Sequence, residues 1–297
     1  MRRSVLIYNP KAGRWRTAVL ARDLLAALTQ RDFQVDARPT DEPGHATHLA
    51  RQAADDGVEV VFAFGGDGTL RETAAGLLGT PAALGLLPGG TTNVIAHSLG
   101  VPADPLRAAA ALHHTSIREI DVGLCADDVF LMQASAGLDA RIMSRLQPRL
   151  KRHFGRTGVL ATGLLQWSTY EYPEMELVAD GRRLTATFAA VCNLPHYGGK
   201  FALAPKATPD DRRLDLVLFR GRGRTATLGF SVAFLRGRHL DRADVECVEV
   251  EEVEIRGPNA INIQVDGDGT PLQLPVTIRL APQRLKVLVP AAAVPTV

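Results

Sequence analysis

The sequence predicts an α/β domain, in which a parallel sheet carries helices on both faces, followed by an antiparallel β-sandwich domain. Apolar strands alternate with amphipathic helices up to about residue 120, which is typical of a parallel sheet built from βαβ units. Beyond that point, turn residues separate short alternating runs, which is typical of antiparallel sheets. We therefore expect the α/β domain at residues 1–120 and the sandwich at residues 121–282.

The α/β domain is expected to open with a strand around Val5–Tyr8. Val58–Phe64 is apolar except at Glu59, as expected of a parallel strand that is buried on both faces. Asp104 stands directly before a helical segment and is expected to cap it. The remaining predicted strands are 33–37 and 83–87, and the predicted helices are 14–30, 45–55, 69–78, 94–99 and 104–113.

The sandwich domain is expected from short runs of strand-forming residues. Turn sequences such as Asp180-Gly181 separate the runs and favour hairpins. Two helical segments, roughly 140–165 and 225–236, interrupt the strands. The predicted strands are 129–132, 175–179, 185–192, 214–219, 245–255, 261–265 and 276–280.

The composition excludes several classes of protein. At 297 residues, with 46% hydrophobic and 22% charged residues, the chain can form two domains with cores of their own. Its net charge of +2 is too small to indicate nucleic acid as a partner. Three scattered cysteines form neither a disulfide framework nor a zinc pattern, which favours a reducing compartment. No apolar run is long enough to span a membrane, so we expect a cytoplasmic protein.

The strongest functional signal is the glycine-rich turn Gly65-Gly66-Asp67-Gly68-Thr69, between an apolar strand and a helix. Glycines let the backbone approach an oxyanion, and a helix N-terminus adds N–H donors. Phosphates would repel Asp67 unless it held Mg²⁺ or accepted a proton. The turn therefore indicates a phosphate site with an acid built into it. The alternative is an ordinary glycine turn in which Asp67 is an N-cap.

Two further loops of this kind lie in the first hundred residues. Gly89-Gly90-Thr91-Thr92-Asn93 follows a short apolar run and precedes a helix, and Asn9-Pro10-Lys11 ends the first strand and supplies a cation. Because the carboxyl ends of parallel strands share one edge of a sheet, we expect the three loops to lie together. Turn formation or helix capping is the alternative role of their Asn and Thr residues.

These segments resemble the diacylglycerol kinase catalytic domain family, which includes bacterial lipid kinases and the sphingosine and ceramide kinases. The resemblance rests on Asn-Pro-x-Ala-Gly at 9–13, Gly-Gly-Asp-Gly-Thr at 65–69 and Leu-Pro-x-Gly-Thr-x-Asn at 87–93. Residues 264–268 are similar to the family's Val-Asp-Gly-Glu segment, and residues 207–215 to its Asp-Asp-Gly-x-Leu-Asp segment. The resemblance implies the NAD-kinase and diacylglycerol-kinase type of α/β domain. It also implies that a last strand at 285–289, within residues 283–297, returns to that domain.

The resemblance implies an ATP- and Mg²⁺-dependent kinase of a lipid alcohol, with diacylglycerol as the default and a sphingoid base or ceramide as other options. The implied ATP-binding residues are Asn9, Lys11, Gly65, Gly66, Gly68, Thr69, Gly89, Gly90, Thr91 and Asn93. The candidate catalytic acids are Asp67, Asp266 and Asp268, and we expect a cleft to bring Asp67 and Asp266 together around Mg²⁺. A simple hairpin turn is the alternative role of Asp266-Gly267-Asp268.

In bacterial relatives a structural Mg²⁺ is held by an acid that matches Asp211, with the carbonyls of Thr208 and Arg213 as the expected partners here. A solvated turn is the alternative. The chain departs from the family pattern at three positions. Val94 stands where the family commonly has Asp, Arg212 where it has Gly, and Asp268 where it has Glu.

Basic residues at 141–156, 220–224 and 236–238 indicate a surface for anionic lipid headgroups, with a solvated helical face as the alternative. We therefore expect peripheral membrane association, and a lipid pocket lined around 160–167 and 230–235. The oligomeric state is open, with a homodimer as one option. Two other functions stay open: an NAD-kinase-type kinase of a soluble alcohol, whose downstream segments are absent here, and a non-catalytic nucleotide- or lipid-binding protein.

Overall fold

The computed structural model describes residues 2–11, 17–112, 115–146, 162–258 and 261–290. The chain forms two compact units, which we call unit 1 (Met1–Asp121 with Pro282–Val297) and unit 2 (Val122–Ala281). Among the described residues, no helix is both long and apolar enough to cross a membrane. The predicted helix start at 14–16 and the basic residues at 149–156 fall outside the described ranges.

Unit 1 begins with strands and helices in alternation, as the sequence predicts. Asp104 accepts a hydrogen bond from the Arg107 N–H at 2.9 Å, which confirms the predicted cap. The elements are β1 (Arg2–Tyr8), α1 (Thr17–Thr29), β2 (Phe33–Pro39), α2 (His45–Asp55), β3 (Val60–Gly65), α3 (Asp67–Leu77), β4 (Ala83–Pro88), α4 (Val94–Ser98), α5 (Pro105–Ala111) and β5 (Thr115–Ile120).

Unit 2 is built mainly from strands, and the chain then returns to unit 1 in β20. Residues 162–169 are also helical, and His239–Asp241 form a 3-10 turn. The elements are β6 (Gly123–Cys125), β7 (Asp128–Phe130), β8 (Gln133–Ala136), α6 (Leu138–Arg145), β9 (Met175–Ala179), β10 (Arg182–Ala186), β11 (Phe188–Cys192), β12 (His196–Tyr197), β13 (Phe201–Ala202), β14 (Leu214–Phe219), α7 (Gly223–Leu235), β15 (Val245–Val250), β16 (Glu252–Arg256), β17 (Ile263–Val265), β18 (Asp268–Gly269), β19 (Val276–Leu280) and finally β20 (Leu285–Pro290).

The sheet of unit 1 has the order β2-β1-β3-β4-β20-β5. All of its pairs are parallel except β20 with β5, which is antiparallel. Helix α1 packs with α5, and α2 packs with α3, as two layers on the sheet. Phe62, Phe64 and Leu84 are fully buried, since the central strands are covered on both faces. The predicted α/β class is confirmed, and β5 is a strand that the pattern did not reveal.

Unit 2 is a sandwich of two sheets, with the orders β10-β9-β16-β19-β6-β7 and β15-β14-β11-β8-β17-β18. Leu214, Leu216 and Leu218 of β14 point into the core that the two sheets share. Val217 and Phe219 alternate with them and point to the outer face, where α7 packs. This alternation is typical of an antiparallel sheet covered on both sides, and it confirms the predicted sandwich.

Two predicted strands are wrong because each is a pair of strands that lie in different sheets. The run 185–192 divides at Thr187, whose hydroxyl donates to the carbonyls of Phe219 and Gly221. The run 245–255 divides at Glu251, whose N–H donates to the Asp180 carboxylate. Neither division is marked by glycine or proline, so the sequence reads as continuous.

Candidate functional site

The three glycine- and asparagine-containing loops of unit 1 lie side by side, as predicted. β1, β3 and β4 are adjacent and parallel, so their carboxyl ends deliver the loops to one edge. The Asn9 N–H donates to the Phe64 carbonyl at 3.2 Å, and the Gly89 N–H donates to the Gly65 carbonyl at 2.7 Å. The chain continues from β1 to β2 on one side of the sheet and from β3 to β4 on the other side. Open α/β sheets bind ligands at the point where the strand order reverses in this way.

Close backbone packing explains the glycines of these loops. A Cβ atom on Gly90 would lie 2.6 Å from the Cα of Gly66, and one on Gly65 would lie 2.6 Å from the Cβ of Thr69. A Cβ on Gly89 would lie 2.7 Å from the Phe64 ring. The two loops therefore meet through bare backbone and form a cradle that any side chain would fill. Gly68 is partly buried in the first turn of α3.

Asp67 connects two of the loops. It lies in the first turn of α3 and is partly exposed. One carboxylate oxygen accepts the Ile95 N–H at 3.0 Å, and the other accepts the Thr92 hydroxyl at 3.2 Å. Asp67 therefore caps α4, and it holds the second loop in place beside the first.

The remaining polar residues of the loops have local structural contacts. Asn93 adopts φ 47°, accepts the Gly90 N–H at 2.8 Å and donates to the Gly90 carbonyl at 3.1 Å. Asn9 accepts the Lys11 N–H at 2.9 Å, and Lys11 Nζ donates to the Asp41 carbonyl at 3.2 Å. Thr69 is buried, whereas Thr91 is exposed. Turn formation is thus one role of both asparagines, and binding of ATP by these residues stays a prediction.

Asp266 is part of the framework of unit 2. Its carboxylate is buried and accepts three main-chain N–H groups, those of Leu131 at 2.9 Å, Met132 at 2.8 Å and Gln133 at 2.9 Å. These bonds also end the predicted strand 129–132, since Leu131 and Met132 turn toward the acid. Backbone donors thus hold both of its oxygens, and a catalytic role of Asp266 stays a prediction.

Asp268 lies on the other side of the same tight turn. Asp266 and Gly267 both have positive φ, 49° and 82°, and Val265 pairs with Asp268, which is the geometry of a two-residue hairpin. Asp268 is partly exposed, unlike Asp266. The next residue, Gly269, packs against the backbone of Ser144 in α6, which fixes the hairpin on that helix.

The predicted magnesium site at Asp211 is a turn closed by its own hydrogen bonds. Asp211 accepts the Thr208 hydroxyl at 2.8 Å and the Arg213 N–H at 2.9 Å. Arg212 adopts φ 63° at the position of the family's glycine, and its guanidinium donates to the Ala281 carbonyl at 3.2 Å. No three His, Cys, Asp or Glu side chains of the described ranges are grouped to hold a metal ion. These donors close a capped turn, and the magnesium stays a prediction.

The pKa of the neighbouring Asp215 is raised to about 6, first by burial and then by the charges of Asp211 and Glu249. The repulsion shows that negative charge gathers beside this turn. It does not by itself supply the ligands of a cation.

An apolar cavity of about 190 Å³ lies in unit 2, and we call it the unit 2 cavity. Phe188, Phe219, Phe230, Phe234 and Ile142 form much of its wall. Phe230 and Phe234 belong to the segment 230–235 predicted to line a lipid pocket. The cavity lies between α6, α7 and the outer face of the sheet that contains β14.

Asp139 also lines this cavity, and the sequence reasoning missed it. Burial raises its pKa to about 6, although Ser135, Ala140, Gln264 and Tyr197 donate hydrogen bonds to it. The one available signal was an acid that directly follows the mostly apolar residues 129–138. Such an acid must be paired, hydrogen-bonded or functional.

Comparison with known proteins covers both units. A family model described as "Diacylglycerol kinase catalytic domain" matches residues 3–125, and one described as "YegS C-terminal NAD kinase beta sandwich-like domain" matches residues 132–289. A protein of Chromohalobacter salexigens named "Probable lipid kinase YegS-like" is 32% identical over 83% of this chain and 81% of its own length. The protein named "Diacylglycerol kinase" of Bacillus subtilis is 27% identical over 90% of each chain.

A crystal structure titled as a diacylglycerol kinase from Bacillus anthracis str. Sterne has the same fold. Its TM-score is 0.81 at 24% identity, over 99% of this chain and 98% of that chain. At this level of identity the likeness concerns the fold alone.

Proposed function

The chain belongs to the diacylglycerol kinase family of ATP-dependent lipid kinases, and we propose that it phosphorylates the hydroxyl of a lipid bound by unit 2, namely diacylglycerol or a related lipid. The observation that carries the proposal is the glycine cradle of unit 1. Gly66 and Gly90 meet backbone to backbone, and Asp67 links the two loops. This arrangement suits a triphosphate, since phosphoryl transfer depends on positioning and charge neutralisation.

In this proposal, unit 1 binds ATP at the edge formed by β1, β3 and β4. The first N–H groups of α3 have no partner within the helix and suit phosphate oxygens. Lys11, exposed at the same edge, supplies a positive charge. The other proposed contacts are Asn9, Gly65, Gly66, Gly68, Thr69, Gly89, Gly90, Thr91 and Asn93.

Asp67 is the residue proposed to hold Mg²⁺ that accompanies ATP. A carboxylate beside a triphosphate requires a cation, and Mg²⁺ is usually held by one or two carboxylates together with phosphate oxygens. Asp67 is partly exposed at the cradle, and a carboxylate has about four acceptor sites, enough to ligate a cation besides accepting hydrogen bonds. The cation would neutralise charge on the transferred phosphoryl group.

Asp268 is the proposed base for the lipid hydroxyl. It is partly exposed, whereas Asp266 is buried and hydrogen-bonded to three N–H groups. The hairpin and its packing on Ser144 hold Asp268 in a defined position. Proton transfer requires such a positioned group, so Asp266 is the support and Asp268 the candidate base.

We place the membrane-facing surface of the protein on α7 and the helical residues 162–169. Leu228, Val232 and Leu235 share one side of α7 and are exposed, and Leu164 and Leu165 are about 60% exposed on the neighbouring helix. The Trp167 indole donates to the Arg224 carbonyl, which ties the two helices together. Arg222, Arg224, Arg236 and Arg238 are exposed nearby and suit anionic headgroups.

Vesicle co-sedimentation tests this surface. We expect a Leu228→Ser, Leu235→Ser double variant to bind vesicles that contain anionic lipid at least tenfold more weakly than the unaltered protein. Ile117→Ser, which alters an exposed apolar residue of β5 in unit 1, is the matched control and should bind normally. Equal binding by all three proteins would remove the assignment.

An acceptor screen tests the function itself. The purified protein, with labelled ATP, Mg²⁺ and detergent-dispersed lipids, is expected to form a labelled lipid. Labelling of NAD alone would favour the soluble-alcohol kinase, and ATP binding without any acceptor would favour a non-catalytic role.

A further inference from the structure

Among the residues that the structure describes, Asp139 is the one carboxylate that lines the unit 2 cavity. The hydroxyls of Thr187, Thr227 and Ser231, which also line it, donate to main-chain carbonyls and are already used. Asp139 accepts short hydrogen bonds from the Ser135 hydroxyl at 2.5 Å and the Ala140 N–H at 2.6 Å. The bonds from Tyr197 and Gln264 are both 3.5 Å long, at the limit for a hydrogen bond.

The hydrogen bonding of Asp139 is therefore incomplete. An ionised carboxylate has about four acceptor sites. Ser135, Tyr197 and Gln264 all donate to Oδ2 of Asp139, the last two over 3.5 Å. Within the described residues, the Ala140 N–H is the one donor to Oδ1. No Lys or Arg of the described residues forms an ion pair with it. Burial already raises the pKa of this carboxyl to about 6, which shows that its charge is poorly compensated.

Asp139 is partly exposed, and an alkyl chain that entered the cavity would remove it further from solvent. Burying a charge is costly unless it gains a hydrogen bond or a counter-charge. An occupant whose polar end carries a donor would avoid this cost, whereas an ester or ether group offers only acceptors. The cavity therefore favours an occupant that combines an apolar chain with a hydrogen-bond donor.

We propose that the unit 2 cavity binds a single acyl or alkyl chain of the lipid acceptor, and that Asp139 accepts a hydrogen bond from a hydroxyl or amine carried beside that chain. The proposal rests on the lipid kinase function. It narrows the acceptor to single-chain lipids with a second donor besides the hydroxyl that receives the phosphate. Monoacylglycerol is the simplest member of this class, because diacylglycerol has one hydroxyl and no other donor.

Gln264 connects this recognition to the proposed base. Its Nε2 group donates to the Ser135 hydroxyl at 2.6 Å and lies 3.5 Å from the Asp139 carboxylate. Its Oε1 atom accepts the Gly267 N–H at 2.7 Å, within the turn that carries Asp268. Gln264 is therefore a positioning residue between the cavity wall and the hairpin.

Binding without ATP tests the recognition directly. The probes are 1-dodecanol and its methyl ether, which have the same chain but differ in the donor. We expect the unaltered protein to bind the alcohol about tenfold more tightly than the ether, as measured by titration calorimetry. Asp139→Asn should reduce this preference to about twofold or less. Asp127→Asn, an exposed acid of unit 2, is the control and should keep it.

A second variant, Ser135→Ala, keeps the Asp139 carboxylate and should strengthen the preference for the alcohol instead of weakening it. Ser135→Ala removes the shortest donor to Asp139, so the carboxylate should depend more on the ligand, and the preference for the alcohol should increase at least threefold. Ile142→Phe fills the cavity and should weaken both probes equally. An alcohol preference that is the same in the unaltered protein, Asp139→Asn and Ser135→Ala would overturn the proposal.

Turnover separates this inference from the general function. With monoacylglycerol and diacylglycerol of the same acyl chain, we expect kcat/KM to be at least tenfold higher for monoacylglycerol. Equal turnover of both lipids, with the ratio unchanged in Asp139→Asn, would contradict the inference and leave the lipid kinase function in place. The absence of any labelled lipid would count against both.

Discussion

The chain has two Asp-Gly turns that look alike in sequence and differ in structure. Asp67 follows a buried parallel strand, stays partly exposed and connects two neighbouring loops through Thr92 and Ile95. Asp266 follows a strand of the sandwich, is buried and accepts three backbone N–H groups. An Asp-Gly pair in sequence therefore predicts a tight turn, whereas exposure and hydrogen-bond partners decide which acid remains available for chemistry.

The largest effect on kcat is expected at the turn that contains Asp67. Asp67→Asn should lower kcat for lipid phosphorylation by at least about 100-fold, because the proposed metal-binding charge is lost. The free energy of unfolding should change by less than about 1 kcal/mol, since the asparagine oxygen can still accept the Ile95 N–H. Activity comes from labelled-phosphate transfer and stability from urea unfolding. Full turnover would make Asp67 a cap and nothing more.

The buried turn should behave in the opposite way. Asp266→Asn removes the charge, replaces one accepting oxygen with an NH₂ group and leaves at least one of the buried N–H groups of residues 131–133 without an acceptor. We expect the free energy of unfolding to fall by about 3–5 kcal/mol. Urea unfolding measures it, with the exposed Asp127→Asn as the control that should be neutral. A stable but inactive Asp266→Asn protein would instead restore the catalytic role that the sequence suggested.

Asp139 is a third acid to compare with Asp67 and Asp266, and hydrogen bonds compensate its negative charge less well than that of Asp266. Its folded pKa of about 6 lies above the ordinary value of 3.8, so its protonated form favours folding. Its contribution to stability is therefore present below about pH 4 and is lost as the pH rises through 6.

Between pH 4 and pH 7, the free energy of unfolding of the unaltered protein should fall by up to about 3 kcal/mol more than that of Asp139→Asn. Asp215 titrates with the same sign, but it is present in both proteins and cancels in the difference. Urea unfolding at several pH values checks this. A difference that does not depend on pH would show that Asp139 has an ordinary pKa.

Alanine substitutions at Gly66 and Gly90 distinguish loop packing from phosphate binding, and their expected effects are smaller. Gly90→Ala places a Cβ 2.6 Å from the Gly66 Cα and should cost about 1–3 kcal/mol of stability. Gly66→Ala places its Cβ 3.5 Å from the Gly90 Cα, an ordinary contact, so the fold should be unaffected. If the cradle binds phosphate, both variants should raise KM for ATP. A normal KM in Gly66→Ala would leave the glycines with a packing role alone.

Much of the fold could be predicted because local patterns and tertiary structure agree. Helix α2 and the strands β9, β14 and β19 have the predicted bounds. Failures occur where a strand crosses from one sheet to the other, at Thr187 and Glu251. Hydrogen bonds from distant residues make those bends, and the local sequence holds no signal for them.

The candidate site was predicted unevenly for the same reason. Glycine spacing revealed the loops of unit 1, since close backbone approach requires glycine at fixed positions. The hydrogen bonds that hold Asp266 could not be predicted, because its N–H donors lie more than 130 residues away in the chain. Asp139 was missed because the cavity wall is assembled from α6, α7 and the sheet, and its apolar residues resemble ordinary core.

The most direct test of Asp268 as the base is to measure lipid phosphorylation by Asp268→Asn and Asp268→Glu beside the unaltered protein. Glutamate keeps the carboxylate and is the residue of the related family segment. The account predicts that Asp268→Asn loses at least about 100-fold in kcat, the contribution of a general base, while Asp268→Glu stays within about tenfold of the unaltered protein. Equal activity of Asp268→Asn and the unaltered protein would contradict the assignment of the base.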